Sequence, residues 1–296
     1  MITNEPSTQH EQEQQFVPPD SAALAGQQVR GSVLTAGEPA PHPRWAVWLN
    51  LLRAIGVWVA SIVLLIAVQL AFAIPYFIYV WVTTGGLPPL ESLTSDKVLA
   101  FLSIVSVLPA HLLTLGLIWL VVTQGRKVPF WPSIDFHWPK YTSPAFATFV
   151  CLLIAAVLFV IGATATHFWG GSKTQLDLLV ESSIPARMAT AIIAVFTAPL
   201  VEELIYRGVL YSAVERALGT VISVGVVSLL FAGVHVFQYI DNIAVIVVIT
   251  VLSFTLTIVR AKTGSVLAPF IIHLGFNGIQ SIFIALSPFV NWAQSS

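Results

Sequence analysis

Seven stretches of this chain run for about 20 residues with almost no charge, the length a helix needs to cross a bilayer core. The first lies within 46–82. The others lie at about 98–123, 145–168, 188–210, 220–240, 242–259 and 265–286. In hydrocarbon each backbone N–H and C=O must find its partner inside the structure, and continuous apolar runs meet that demand as helices. The stretch 46–82 is too long for one straight span. Trp45, Trp48 and Arg53 mark an interfacial start, and Pro75 marks a kink near the far end. The expected fold is all-α: a polytopic transmembrane helical bundle of seven spans, or eight if the first stretch conceals two elements.

Composition supports lipid as the main solvent. Hydrophobic residues make up 56% of the 296 and charged residues only 9%, against about a quarter in soluble domains. The net charge of −1 gives no basic field for nucleic acid. A single cysteine, Cys151, excludes an intrachain disulfide. Residues 1–44 are rich in Gln, Glu, Ser and Pro, with no apolar run of the kind a secretory signal contains. Such a composition cannot offset ordering entropy, so a disordered cytoplasmic tail is expected there. The remaining division is into N-terminal transmembrane helices at 45–182, a core at 183–288 and a short C-terminal tail at 289–296.

Lys and Arg are unevenly placed. Arg30, Arg44 and Arg53 precede or open the first span. Arg126, Lys127, Lys140, Arg216, Arg260 and Lys262 fall in loops on the same side. The opposite loops hold Lys97, Lys173 and Arg187 beside five acidic residues. This asymmetry places the N-terminus in the cytoplasm, and the cell membrane is the expected location.

The fourth span holds residues that hydrocarbon disfavours. Glu202 and Glu203 are adjacent there, and Arg207 follows. A carboxylate in a bilayer costs at least about 2.5 kcal/mol on insertion scales. Glu203 and Arg207 are four apart, share a helix face and can pair. Glu202 points about 100° away, and its own i+4 neighbour is Tyr206. The spacing neutralises one glutamate and leaves the other free. A buried carboxylate without a cation has its pKa raised, which suits a general base. The fifth span carries Phe231 and His235 on one face, and the seventh carries His273 and Asn277 in the same way. Intramembrane polar groups face the bundle interior or a wet cavity. A lone intramembrane His is more often a packing residue, and His111 and His167 are read so. A carboxylate, two imidazoles and an amide brought in by three helices are instead the parts for activating water and holding an oxyanion.

The run Glu202-Glu203-Leu204-Ile205-Tyr206-Arg207 is an EExxxR motif, Phe231 to His235 is FxxxH, and His273 to Asn277 is HxxxN. In this order the chain resembles the CPBP family, the CAAX-protease and bacteriocin-processing intramembrane endopeptidases also called Abi. The likeness covers about residues 185–285. It implies that Glu202 deprotonates water and His235 orients it. It also implies that His273 and Asn277 donate to the oxyanion, with Glu203 and Arg207 as structural support. The expected substrate is a lipidated or membrane-associated protein or peptide, and membrane lipid is the other expected partner. The oligomeric state is open.

Cofactor use stays open between none and one divalent metal. Glu202, His235 and His273 could form the His₂Glu set of a catalytic zinc, which would make the protein a metalloprotease. The HExxH spacing that secures such an assignment is missing. A depth problem also arises. With these span ends Glu202 lies about 21 Å from the outer surface, and His235 about 20 Å from the inner one, so the two are not level. Two other functions compete: an ion-coupled transporter, and a non-catalytic immunity or scaffold protein. No inverted repeat supports the transporter, and no motif residue is lost as a silent protein would allow.

Overall fold

The computed structural model describes residues 44–93, 96–140, 142–171, 174–236 and 238–295. The expected tail, 1–44, lies outside them except for Arg44. Eight helices organise the described residues. They are α1 (Arg44–Thr84), α2 (Lys97–Val122), α3 (Pro144–Trp169), α4 (Gln175–Ser182), α5 (Ile184–Leu218), α6 (Thr220–Val236), α7 (Ile243–Thr263) and α8 (Leu267–Ser295). One-turn helices occur at Leu90–Leu93 and Phe130–Ser133, and there is no strand among the described residues.

Among the described residues six helices are long and apolar enough to cross a membrane: α1, α2, α3, α5, α7 and the Leu267–Leu286 part of α8. This is an integral membrane protein of helices. The expected count of seven or eight is not confirmed by them. The expected fifth span, 220–240, stops at Val236, and its 17 residues extend about 25 Å against a core of about 30 Å. The stretch 46–82 does not conceal two elements. Helix α1 runs unbroken through Pro75 for 41 residues, because no turn sequence interrupts it. At the C-terminus α8 continues through the segment read as a tail.

Helix α5 is central and packs against α1, α2, α6 and α8. It is also irregular. Turns of π type occur at Ile193–Thr197 and Leu204–Leu210, where the Ala198 N–H reaches Ile193 O and the Tyr211 N–H reaches Tyr206 O. They flank the α-helical segment Ala198–Glu203 that holds both glutamates. Each π turn rotates the next residues of the helix off the regular stripe, and such turns concentrate at functional sites. One buried apolar cluster joins α1, α2, α5 and α6 through Val57, Ile118, Leu204 and Val227. A second joins α3, α7 and α8 through Ala155, Leu158, Leu256 and Ile272.

The α5–α6 hairpin removes the depth problem. Helix α5 continues past 210 to Leu218, and Gly219 turns the chain with φ of 83°. By helical rise Glu202 is then about 24 Å before that turn and His235 about 22 Å after it, so the two are level.

Candidate active site

Glu203 and Arg207 are fully buried. Arg207 Nη1 donates to Glu203 Oε1 at 3.0 Å, as the i,i+4 spacing requires. Its Nη2 donates to both the carbonyl and the hydroxyl of Ser253 on α7, each at 3.0 Å. The guanidinium carbon also lies 4.7 Å from the Phe231 ring centre, within cation–π range. The pair therefore clamps α5 to α7. Arg260, at the end of α7, donates to Arg207 O at 2.9 Å, to Ser212 Oγ at 3.1 Å and to Asp135.

His273 ties the clamp to the cavity. Its Nδ1 is 2.8 Å from Glu203 Oε1 and donates to that carboxylate. On the other edge of the ring Nε2 is 3.7 Å from Glu202 Oε2. One imidazole thus stands between the two glutamates. Glu202 has no cation on its own face and keeps 24% of its side-chain surface exposed.

His235 hangs from α6 with Nδ1 2.8 Å from Phe231 O. A carbonyl only accepts, so Nδ1 carries the hydrogen and Nε2 of the neutral ring is left as an acceptor. The FxxxH spacing makes this bond, since residues four apart are helical neighbours. The Phe231 ring sits edge-on to both Tyr206 and His273, at 5.0 and 5.9 Å between ring centres. It covers the buried ion pair and holds both imidazoles.

Asn277 Nδ2 donates to Ala194 O at 2.9 Å. Local chemistry explains the partner. The Ala198 N–H is taken by Ile193 O, and Pro199 has no N–H to offer as a π-type partner, so the Ala194 carbonyl would be left bare. Asn277 meets that need with one amide hydrogen and retains a second. Replacing Asn277 with Ala is expected to cost about 0.5–1.5 kcal/mol by removing the partner of a half-buried carbonyl. Thermal unfolding in detergent checks it, and an unchanged midpoint would contradict the bond.

Two cavities meet at the site. The first, about 350 Å³, is lined by Glu202, His235, Tyr239, His273, Asn277 and Gln280 among others. The second, about 700 Å³, is lined by Trp58, His111, Glu202, Tyr206, His235 and Gln238 among others. Glu202 and His235 form a shared wall, with no direct hydrogen bond between them. Burial, with Asp177 and Glu202 near, pushes the Tyr239 phenol up to about 12, so it remains a donor at neutral pH.

All seven residues singled out in the sequence meet here. Other residues take part as well. Trp58 Nε1 donates to Tyr206 Oη at 3.1 Å, bringing α1 to the site. His111 Nδ1 lies 2.9 Å from Thr197 Oγ1, a packing contact, yet the ring also lines the second cavity. Ser253, Thr257 and Arg260 form a buried polar stripe on α7 that was readable at helical spacing. The two imidazoles carry the Nδ1 partners that metal-ligating histidines usually have. Even so, among the described residues no three His, Cys, Asp or Glu side chains converge closely enough to hold an ion.

The fold and site together define a polytopic helical membrane protein with a buried carboxylate–imidazole centre. Residues 184–279 match the family of type II CAAX prenyl endopeptidases described as Rce1-like. That segment contains all three motifs, so the resemblance to the CPBP family of CAAX proteases holds over it. The match points to a CAAX-type intramembrane protease. It gives no specific support to the bacteriocin-processing (Abi) branch or to a metalloprotease. No curated protein and no solved structure matches the chain.

Proposed function

We propose that this chain is an intramembrane endopeptidase in which Glu202 activates water. The observation that carries the reading is the division of labour between adjacent carboxylates: Glu203 Oε1 is taken by Arg207 and His273, while Glu202 faces two cavities with no lysine or arginine partner. In the proposed step Glu202 takes a proton from water held against His235 Nε2. The water oxygen attacks the peptide carbonyl carbon. His273 and the second amide hydrogen of Asn277 hold the oxyanion that forms. His273 Nδ1 already gives its hydrogen to Glu203, so donation from Nε2 requires the imidazolium form. Glu202 returns the proton to the amide nitrogen as the C–N bond breaks.

No metal takes part in this scheme. The donor atoms are of the right type for zinc, but their lack of convergence supports direct activation by Glu202. The larger cavity supports a lipidated substrate. Its walls include Ile62, Leu65, Ile66 and Leu229, which suit a hydrocarbon chain coming from the bilayer. The Lys and Arg asymmetry supports a cytoplasmic N-terminus, and the cell membrane is the proposed location.

The test is cleavage of matched lipidated and unlipidated peptides by purified protein, before and after exhaustive chelation. Cleavage of the lipidated set that survives chelation is expected, with metal well below one equivalent. Stoichiometric zinc in the active protein would end the metal-free scheme. Glutamate-dependent ion flux without cleavage would favour a transporter.

A further inference from the structure

We propose that the cleft between α1 and α2 binds an anionic glycerophospholipid, its phosphate held by Arg53, Gln124 and Lys127 and an acyl chain lying below. The cleft has a volume of about 480 Å³. Its apolar wall is Val57, Leu117 and Leu120, with Gly56 beside them. Val57 lies one helical turn beyond Arg53, and Leu120 and Leu117 lie one and two turns before Gln124. Polar groups therefore crown an apolar slot that runs into the membrane, which is the profile of a lipid rather than of a soluble anion. A neighbouring cavity of about 370 Å³ shares Arg53, Val121 and Gln124 and adds Arg216 of α5.

Lys and Arg are common at one membrane face and need no particular ligand there. Four observations set this cleft apart. The cations converge: Arg53 lines both cavities, with Lys127 on one and Arg216 on the other. Among the described residues no carboxylate lines either space. The acids that could have done so are occupied, Glu215 by the hydroxyls of Tyr211 and Thr220 and Asp135 by Arg260. Arg53 itself makes one long hydrogen bond, 3.4 Å to Asn50 Oδ1, and keeps its other donors. The turn that presents Gln124 and Lys127 is locked. Gln124, Gly125 and Arg126 all have positive φ, and the N–H groups of 124–128 are bonded back to residues 120, 121 and 123. Three like charges around a rim repel one another in a medium of reduced dielectric, and a phosphate among them removes that cost.

The experiment uses the full chain in detergent and in nanodiscs, with native mass spectrometry as readout. Dioleoyl phosphatidylglycerol and dioleoyl phosphatidylcholine differ in net charge and not in chains. One phosphatidylglycerol per protein is expected to be retained preferentially. The Arg53→Gln/Lys127→Gln variant is expected to lose that retention by about tenfold or more, as two basic groups near an anionic lipid imply. Lys140→Gln/Lys262→Gln removes the same charge from residues that line neither cavity and is expected to retain the lipid. A Cβ at Gly56 would meet nothing within 4 Å, so Gly56→Leu fills the slot without strain and is expected to weaken retention with all charges intact. Equal loss in both charge variants would reduce the site to general surface charge and overturn the proposal. So would the absence of a phosphatidylglycerol preference, or full retention in Gly56→Leu. Competition by free glycerol phosphate at matching concentration would replace the lipid with a soluble anion and equally overturn it.

Discussion

Glu202→Gln is expected to abolish peptide cleavage and leave the bundle folded. The substitution keeps shape and volume and removes the base. Structurally little depends on Glu202. Its nearest polar partner is His273 Nε2 at 3.7 Å, beyond hydrogen-bond range, and its side chain keeps contact with the cavities. Substitutions away from packing and buried networks usually stay within about 0.5 kcal/mol. Chemically much depends on it, since a positioned base is worth about 10²–10⁴ in rate. The neighbour provides the contrast. Glu203→Gln keeps an oxygen acceptor but strips the charge facing Arg207, so it should lower the unfolding midpoint as well as the activity. Parallel measurements of turnover and thermal unfolding separate the two. Turnover that persists in Glu202→Gln, within tenfold of the parent, would remove Glu202 from the chemistry.

The contrast between these adjacent residues was legible in the sequence because it depends on one helix. An i,i+4 pair fixes Glu203 to Arg207, and 100° of rotation frees Glu202. The same local rule gave FxxxH its backbone bond and put His273 and Asn277 on one face. What joins the helices was not legible. His273 reaches Glu203 across 70 residues of chain, and nothing in either motif names the other as partner. Asn277 was read as an oxyanion donor, but its first bond repairs a backbone carbonyl left open by a π turn and Pro199. Arg260 was read as a charge that sets orientation. It is buried and bonds the backbone of Arg207.

The span ends failed for a physical reason as well. Residues 211–218 contain Glu215 and Arg216, so hydropathy ends the fourth span near 210. A helix ends where a breaker stands, and the first one is Gly219. Those eight residues displaced Glu202 relative to His235 by about two turns in the sequence reading. In the opposite direction, the length of 46–82 invited a division that Pro75 alone does not impose, because a proline in a membrane helix can be tolerated without a break.

Arg207→Leu is expected to destabilise the protein by about 3–5 kcal/mol, the usual result of removing one partner from a buried ion pair. Glu203 would keep its charge with no exposed surface and only His273 to answer it. The Ser253 hydroxyl and carbonyl would lose the guanidinium, the carbonyl keeping Thr257 Oγ1 at 2.8 Å, and α5 would lose this tie to α7. Lysine is a poor substitute. Its single ammonium cannot reproduce a fork that serves Glu203 on one arm and Ser253 on the other while lying over Phe231. Removing both charges tests the cause. In Glu203→Gln/Arg207→Leu no unpaired ion remains, so much of the lost stability should return, and the double-mutant cycle should show a coupling well above about 1 kcal/mol. Cleavage should stay low in that variant, because His273 no longer has a carboxylate to set its ring. Stability regained without activity would show that the pair acts by holding the imidazole in place. A single Arg207→Leu variant as stable as the parent would mean that the pair contributes no net stability and that α5 is held by its apolar contacts with α1, α2 and α6 instead.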